Sequence, residues 1–493
     1  MKDTSCMKLG ITLAGVLALF FLPARAHASP PQYSVTVLGS LGGTNSSGYG
    51  INASGQVVGF SNISGDSTAH AVVWTGTTPT DLGALGGTTS VGYGINAAGQ
   101  VAGFSTVAGN FGGHALVWTG TTPTDLGTLG GASSGATSIN DSGQVAGASQ
   151  ITGNSAYHAV RWTGTTPTDL GTLGGTNSYG QGINASGQIA GQAAIMAGFT
   201  HAVRWTGTTP TDLGTLGGSQ SEGHGINASG QVAGYSQITG DNAWHAVVWT
   251  GTTPKDLGTL GGTDSYAEGI NASGDVIGVA SLPGDQGAVA FLDTGGTMYD
   301  LNTLLLPGSG VTNIYLYNGT NGINDLGQIA AYGYFGGQQH AILLTPVDTD
   351  GDGIADRFET GTGIYVSPTD TGTDPSKADT DGDGLTDGQE VNTYHTNPNL
   401  KDTDGDGFED GFEVATGFDP TSAASTPDTL SSIRTAAEYR FNAALGISYR
   451  IEASIDFTNW TTIETNIIGA GGVMTRFYSI EGQPRRFFRS RRN

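Results

Sequence analysis

One tripeptide, Gly/Ser-Ile-Asn, returns seven times, with its isoleucine at Ile51, Ile95, Ile139, Ile183, Ile226, Ile270 and Ile323. The intervals are 44, 44, 44, 43, 44 and 53 residues. Self-similarity at such a period restricts the chain to stacked or ring-closed repeats, because each unit buries its apolar face against the next. The units read alike: a segment ending Gly-Ile-Asn, a turn such as Ala-Ser-Gly-Gln, then Val-Ala-Gly-Phe-Ser, His-Ala-Val-Val-Trp-Thr-Gly and Thr-Pro-Thr-Asp-Leu-Gly-Thr-Leu-Gly-Gly. With 83 glycines and only 12% charged residues, long helices are disfavoured and short strands with tight turns are favoured.

Four short strands fit one unit. In the second unit they are predicted near Val91–Asn96, Gln100–Ser105, Ala115–Thr119 and Thr124–Leu129. The Ala-Ala-Gly or Ala-Ser-Gly between the first two is hairpin chemistry, and the proline after each tryptophan pre-sets a second turn. Four strands in about 44 residues is the size of a propeller blade. The expected fold is therefore all-β: a seven-bladed β-propeller over residues 29–346, with an open β solenoid as the alternative. Tyr33–Gly43 resembles the fourth-strand segment of the other units, whereas the seventh unit stops after its third strand, at His340–Pro346. Tyr33–Leu38 is expected to complete blade 7 and close the ring, removing both open sheet edges.

His70-Ala71-Val72 with Trp74, the Gly-Ile-Asn-x-x-Gly-Gln turn and Asp-Leu-Gly-x-Leu-Gly-Gly resemble the HAF family of bacterial extracellular repeats over about residues 33–345. The third motif residue departs from the family pattern, being mostly valine, and Val289 replaces the histidine of the sixth unit. The resemblance implies export and repeat architecture and brings no established activity.

Beyond the repeats, three segments share one spacing: Asp348–Glu359, Asp379–Glu390 and Asp402–Glu413. Carboxylates stand at positions 1, 3, 5, 9 and 12, and glycine at position 6 allows a sharp bend. That is the order in which a loop can supply Ca²⁺ with oxygen ligands. The predicted ligands are Asp348, Asp350, Asp352, Asp356 and Glu359, then Asp379, Asp381, Asp383, Asp387 and Glu390, then Asp402, Asp404, Asp406, Asp410 and Glu413. Backbone carbonyls of Ile354, Leu385 and Phe408 are expected at position 7. Prolines at 346, 398 and 420 argue against the flanking helices of an EF-hand. The pattern is similar to thrombospondin type 3 repeats, which implies calcium held in a largely loop-built segment over residues 347–424.

The ends of the chain read differently. Residues 1–28 have the make-up of a secretory signal: Lys2 and Lys8, an apolar run from Leu9 to Leu22, then Ala26-His27-Ala28. That run is too short for a membrane span. The only cysteine, Cys6, precedes the run, so an exported chain would hold no disulfide. Residues 425–434 read as a linker and 435–493 as a small β module. Five arginines there, Arg485, Arg486, Arg489, Arg491 and Arg492, would either serve surface retention or dock against the acidic loops. The net charge of −24 is uneven: −13 over residues 29–347, −17 over 348–428 and +4 over 429–493. Such a chain repels nucleic acid and draws divalent cations to its acidic block.

Repetition argues for scaffold. His70, His114, His158, His201, His245 and His340 stand at equivalent blade positions, which would hold them apart rather than around one ion. Variation argues for recognition. The slot two before each isoleucine changes most, and with the loops before the third strand it points to Tyr49, Tyr93, Tyr157, His224, Trp244 and Glu268 as a ligand face. The preferred function is a secreted calcium-binding surface or matrix protein whose propeller is a non-catalytic adhesion module for a glycan or cell-surface protein. The alternatives are a propeller glycosidase or polysaccharide lyase, resting on Glu222 and Glu268, the only glutamates of residues 29–346, or a purely architectural layer component.

Overall fold

The computed structural model describes residues 30–109, 112–196, 198–316, 322–425, 436–479 and 486–493. The expected leader, and all but the first residue of the expected linker, lie outside them. Seven four-stranded antiparallel sheets make the blades of a propeller, six of them from strands consecutive in sequence. Blade 1 is Gly42–Ile51, Val57–Ile63, Ala69–Thr75 and Thr78–Asp81, and blade 5 is Gly217–Ile226, Val232–Ile238, Trp244–Thr250 and Thr253–Gly258. Blade 7 takes Thr312–Tyr315, Ile329–Phe335 and Gln338–Pro346 and adds Tyr33–Val37 from the other end of the repeats, with Tyr33 opposite Pro346 and Val37 opposite Ile342.

The Gly-Ile-Asn asparagines explain the closure. Each folds its own hairpin, the side-chain oxygen of Asn52 accepting from the Gln56 amide at 3.0 Å. Its nitrogen donates to the backbone carbonyl of the next blade's asparagine. The chain of donors runs Asn52, Asn96, Asn140, Asn184, Asn227, Asn271 and Asn324, and Asn324 returns to Asn52 at 3.0 Å. One buried residue per blade thus satisfies its own turn and its neighbour at once. The apolar core lies between blades, where Val58, Ala71 and Leu82 pack with Ile95, Val101, Leu116 and Trp118.

Two boundaries differ from the expectation. The fourth strand of blade 2 is only Thr122–Asp125, and the Leu-Gly-Gly that follows passes to the next inner strand, Gly130–Ile139. Positive φ at Gly127 (71°) and Gly130 (95°) ends one strand and starts the next blade, which sequence alternation alone does not mark. In blade 7, among the described residues, Ile323 meets its sheet through a single bridge to Ile329, and the inner strand described, Thr312–Tyr315, lies upstream of it.

The C-terminal residues form a two-stranded sheet, Ala436–Ala443 with Gly472–Ser479, and a three-stranded one with Ser448–Ser454 between Thr461–Ile468 and Phe487–Arg492. Phe441, Tyr449, Ile451 and Ile467 are buried there. Arg489 and Arg491 pair with Glu452 of the same sheet at 2.6 and 3.3 Å, and Arg485 lies outside the described residues. No helix of the described residues is long and apolar enough to cross a membrane.

Candidate metal centres and the face of the ring

Each acidic loop is shaped by its first aspartate. Asp348 accepts from the amides of Gly351 (2.7 Å) and Gly353 (3.0 Å), and Asp379 and Asp402 repeat the pattern with their own glycines. The glycine at position 6 has φ of 98°, 102° and 99° in the three loops, a bend that a side chain would strain. Ile354 and Leu385 at position 7 are buried, and Phe408 is half-buried against Phe412.

The acids of one loop do not gather round one centre. Positions 1, 3 and 5 of each loop form one group: Asp348, Asp350 and Asp352; Asp379, Asp381 and Asp383; Asp402, Asp404 and Asp406. Positions 5 and 12 form another with position 9 of the following loop: Asp352 and Glu359 with Asp387, and Asp383 and Glu390 with Asp410. Position 9 also braces the threonine of its own loop, as Asp356 does Thr349 through its backbone and hydroxyl, 2.7 Å each; Asp356 belongs to none of the described groups. Glu413 belongs to none of the described groups, since no fourth loop supplies its partner. Consecutive loops are therefore joined through shared carboxylates, with Gly388 and Gly411 donating back to Asp352 and Asp383.

These carboxylates fit a hard divalent cation. One oxygen of Asp350, Asp381, Asp404, Glu359 and Glu390, and both of Glu413, are buried with no hydrogen-bond partner. A buried anion left unpaired is costly unless a cation meets it. Burial, and then the neighbouring aspartates, push Glu359 up to about 8 and Glu390 up to about 9.

The first loop is also fastened to the ring. Arg357, one residue past position 9, enters the propeller with its side chain only 7% exposed and ion-pairs with Asp275. It also donates to the Tyr33 hydroxyl at 3.2 Å, on the closing strand. Asp275 stands where the other blades have Gln56, Gln100, Gln144, Gln188, Gln231 and Gln328, so the repeat changes at the hairpin position that ion-pairs with the arginine. That single departure was the available sequence signal for this contact.

On the ring itself, His70, His114, His158, His201 and His245 pair with the aspartate of their own fourth strand, as His114 does with Asp125 at 2.7 Å, whereas His340 lies edge-on to Phe335. The variable slot faces neighbouring inner strands. Tyr49 is buried and stacks on Tyr93 with centroids 5.6 Å apart. Buried His224 places Nδ1 2.9 Å from Glu268 Oε2 and Nε2 3.9 Å from Glu222 Oε2. Burial alone would strip its proton, but Glu268 and Glu222 outweigh that and hold its pKa up at about 10. Tyr49, His224 and Glu268 therefore do not present their side chains to solvent as a ligand face would require. The glutamate pair has an imidazolium between its members rather than room for a scissile bond. Tyr157 and Trp244 are half-buried, stacked on Tyr179 (5.8 Å) and set edge-on to Tyr235 (5.4 Å).

Residues 348–363, 379–401 and 402–423 match the sequence model of the Bacterial TSP3 repeat, in agreement with the thrombospondin type 3 likeness of the acidic loops. No curated protein matches the chain. Similar solved structures include a gluconolactonase from Xanthomonas campestris, at 10% identity over 66% of this chain and 97% of that one, with a TM-score of 0.30. A mutant of AofleA from Arthrobotrys oligospora is 15% identical over 55% and 89%, with a TM-score of 0.30. A mutant of Aleuria aurantia lectin, solved with α-methyl-L-fucoside, is 12% identical over 55% and 96%, with a TM-score of 0.27. Nothing about function follows from likenesses at those TM-scores. What the match does establish is that the acidic loops, though not the chain as a whole, are bacterial TSP3-type repeats.

Proposed function

We propose that this is an exported calcium-binding protein whose ring is a non-catalytic binding module for a ligand on a cell or matrix surface. The acidic loops hold that module in place when calcium binds. The observation that carries the reading is the run of alternating carboxylate groups, within and between loops, with buried oxygens that lack any partner. Ca²⁺ supplies the missing positive charge and takes oxygen ligands without demanding rigid geometry. Asp352 and Asp383 each belong to two groups, so ions at successive groups would tie one loop to the next. The leader-like residues 1–28 and the HAF resemblance support export. Extracellular calcium modules bind in roughly the 10⁻⁴–10⁻³ M range, which suits a structural ion.

Calorimetric titration of the purified chain with calcium, followed by limited proteolysis, tests this. The expected result is binding of at least one ion per loop, with the segment 348–425 protected in calcium and cut in EDTA. Equal cleavage in both conditions would end the structural-calcium reading.

A further inference from the structure

Blade 4 lacks a contact that blades 1, 3, 5 and 6 make at the start of the inner strand. In blades 1, 5 and 6 the loop after the second strand carries an aspartate that caps the start of the inner strand: Asp66 accepts from the Thr44 amide, Asp241 from Ser219 and Asp285 from Thr263, each at 2.7 Å. The loop of blade 4, from Ile195 to Phe199, has no such acid, and its unit is the one with the 43-residue interval. A cavity of about 310 Å³ opens there, lined by Thr176, Asn177, Tyr179, Gln192, Met196 and Thr200 among others. That is at the lower end of the size range of small-molecule sites, roughly 300–1,000 Å³.

The cavity wall leads to the only glutamates of the propeller. With its amide nitrogen turned toward Glu222, Gln192 donates to that carboxylate. Glu222 also accepts from the Tyr235 hydroxyl at 2.7 Å, and beyond it lie His224 and Glu268. Neither ring nitrogen of buried His224 has an aligned hydrogen bond, although ion-pair distances are met. The repeat supplies the internal control. At the Glu222 slot the earlier blades carry Ser47, Val91, Gly135 and Tyr179, and at the His224 slot Tyr49, Tyr93, Thr137 and Gln181. Those blades build the same sheet without a buried charge, so folding does not require the glutamates and histidine. They are concentrated beside the blade whose wall opens this cavity.

We propose that this cavity, walled by blade 4, is a carbohydrate subsite that takes a neutral or amino sugar and rejects acidic ones. The proposal rests on the reading of the ring as a binding module and names its ligand class and place. Tyr179, backed by Tyr157, offers an aromatic wall for the apolar face of a pyranose. Asn177, held by the Tyr157 amide at 3.0 Å, and Gln192 offer amides to hydroxyls. Two carboxylates against one imidazolium leave a net negative charge behind the wall. A carboxylate on the sugar would meet like charge without a cation to pair with.

The test is calorimetry of the full chain in millimolar calcium with chito-oligosaccharide, malto-oligosaccharide and polygalacturonate. The wild type is expected to bind one of the neutral or amino probes and not polygalacturonate. Tyr179→Ala and Gln192→Ala should each weaken binding at least tenfold. Met196→Trp, at a residue 87% exposed on the cavity lip and so harmless to folding, should block it to a similar extent. Glu222→Gln should narrow the preference against polygalacturonate at least tenfold. Unchanged affinity in Met196→Trp would overturn the location while leaving the binding-module reading intact. Tighter binding of polygalacturonate than of the neutral probes would overturn the ligand class. No binding of any saccharide by folded chain would overturn the subsite and leave a protein partner as the ring's ligand.

Discussion

Glu390 is fully buried with one oxygen unpartnered, and its proton is held until about pH 9 in the absence of metal. An acid whose folded pKa lies above its unfolded value destabilises the fold once it ionises. The metal-free loops should therefore be most stable below about pH 4.5, near the ordinary glutamate value, and lose stability as pH rises toward 9. With calcium the sign reverses, because the ion displaces the proton and binding strengthens with pH. Proteolysis of segment 348–425 at pH 5 and pH 8.5, in EDTA and in calcium, should show opposite trends. Parallel trends would mean that these carboxylates do not bind the ion. The acids and glycines of the loops were legible in the sequence, since their spacing is a local property. Their division between centres was not. Asp387 and Asp410 sit at position 9 of their own loops yet serve the loop before, which depends on how loops stack. Glu222 and Glu268 stood out as breaks in the repeat, but not the imidazole between them. Their slots differ by two residues, and only the strand register places His224 there.

At the scale of elements, the contact that most repays attention joins the first acidic loop to the sixth blade. Arg357 and Asp275 are both nearly closed to solvent, so removing the cation leaves an uncompensated buried carboxylate. Arg357→Ala should destabilise the ring by about 3–5 kcal/mol. Changing Asp275 to Gln in the same chain restores the hairpin residue of the other blades and should recover most of that loss. A thermal melt of the single and double variants decides it, and equal melts for both would place the cost elsewhere. The strand cores of each unit could be read from alternation and turn residues, and the ends could not. Leu126-Gly127-Thr128-Leu129-Gly130-Gly131 looks like one extended segment, yet two left-handed glycines carry it from one blade to the next.

The whole molecule depends on a single strand returning from the far end of the repeats. Tyr33 is completely buried in the core that joins blades 6 and 7, and the amide of Leu38 donates to Ala341. Deleting residues 29–40 should lower the melting temperature by roughly 10 °C or more, as it strips a strand from blade 7 and reopens the seam. An unchanged melt would reject the closure. Ring closure was legible because the missing fourth strand of the last unit matched a spare one at the start. The seven-membered circle of asparagines was not, for its hydrogen bonds cross from blade to blade. The same closing strand sets a clock on biosynthesis. Ser34 and Thr345, hydrogen-bonded in the finished ring, are 311 residues apart. At a synthesis rate of roughly 5–20 residues per second, the first strand waits on the order of 15–60 s before its partner exists. Six blades can form on the growing chain in that interval, but the circle is completed only after the ribosome has passed the last of them.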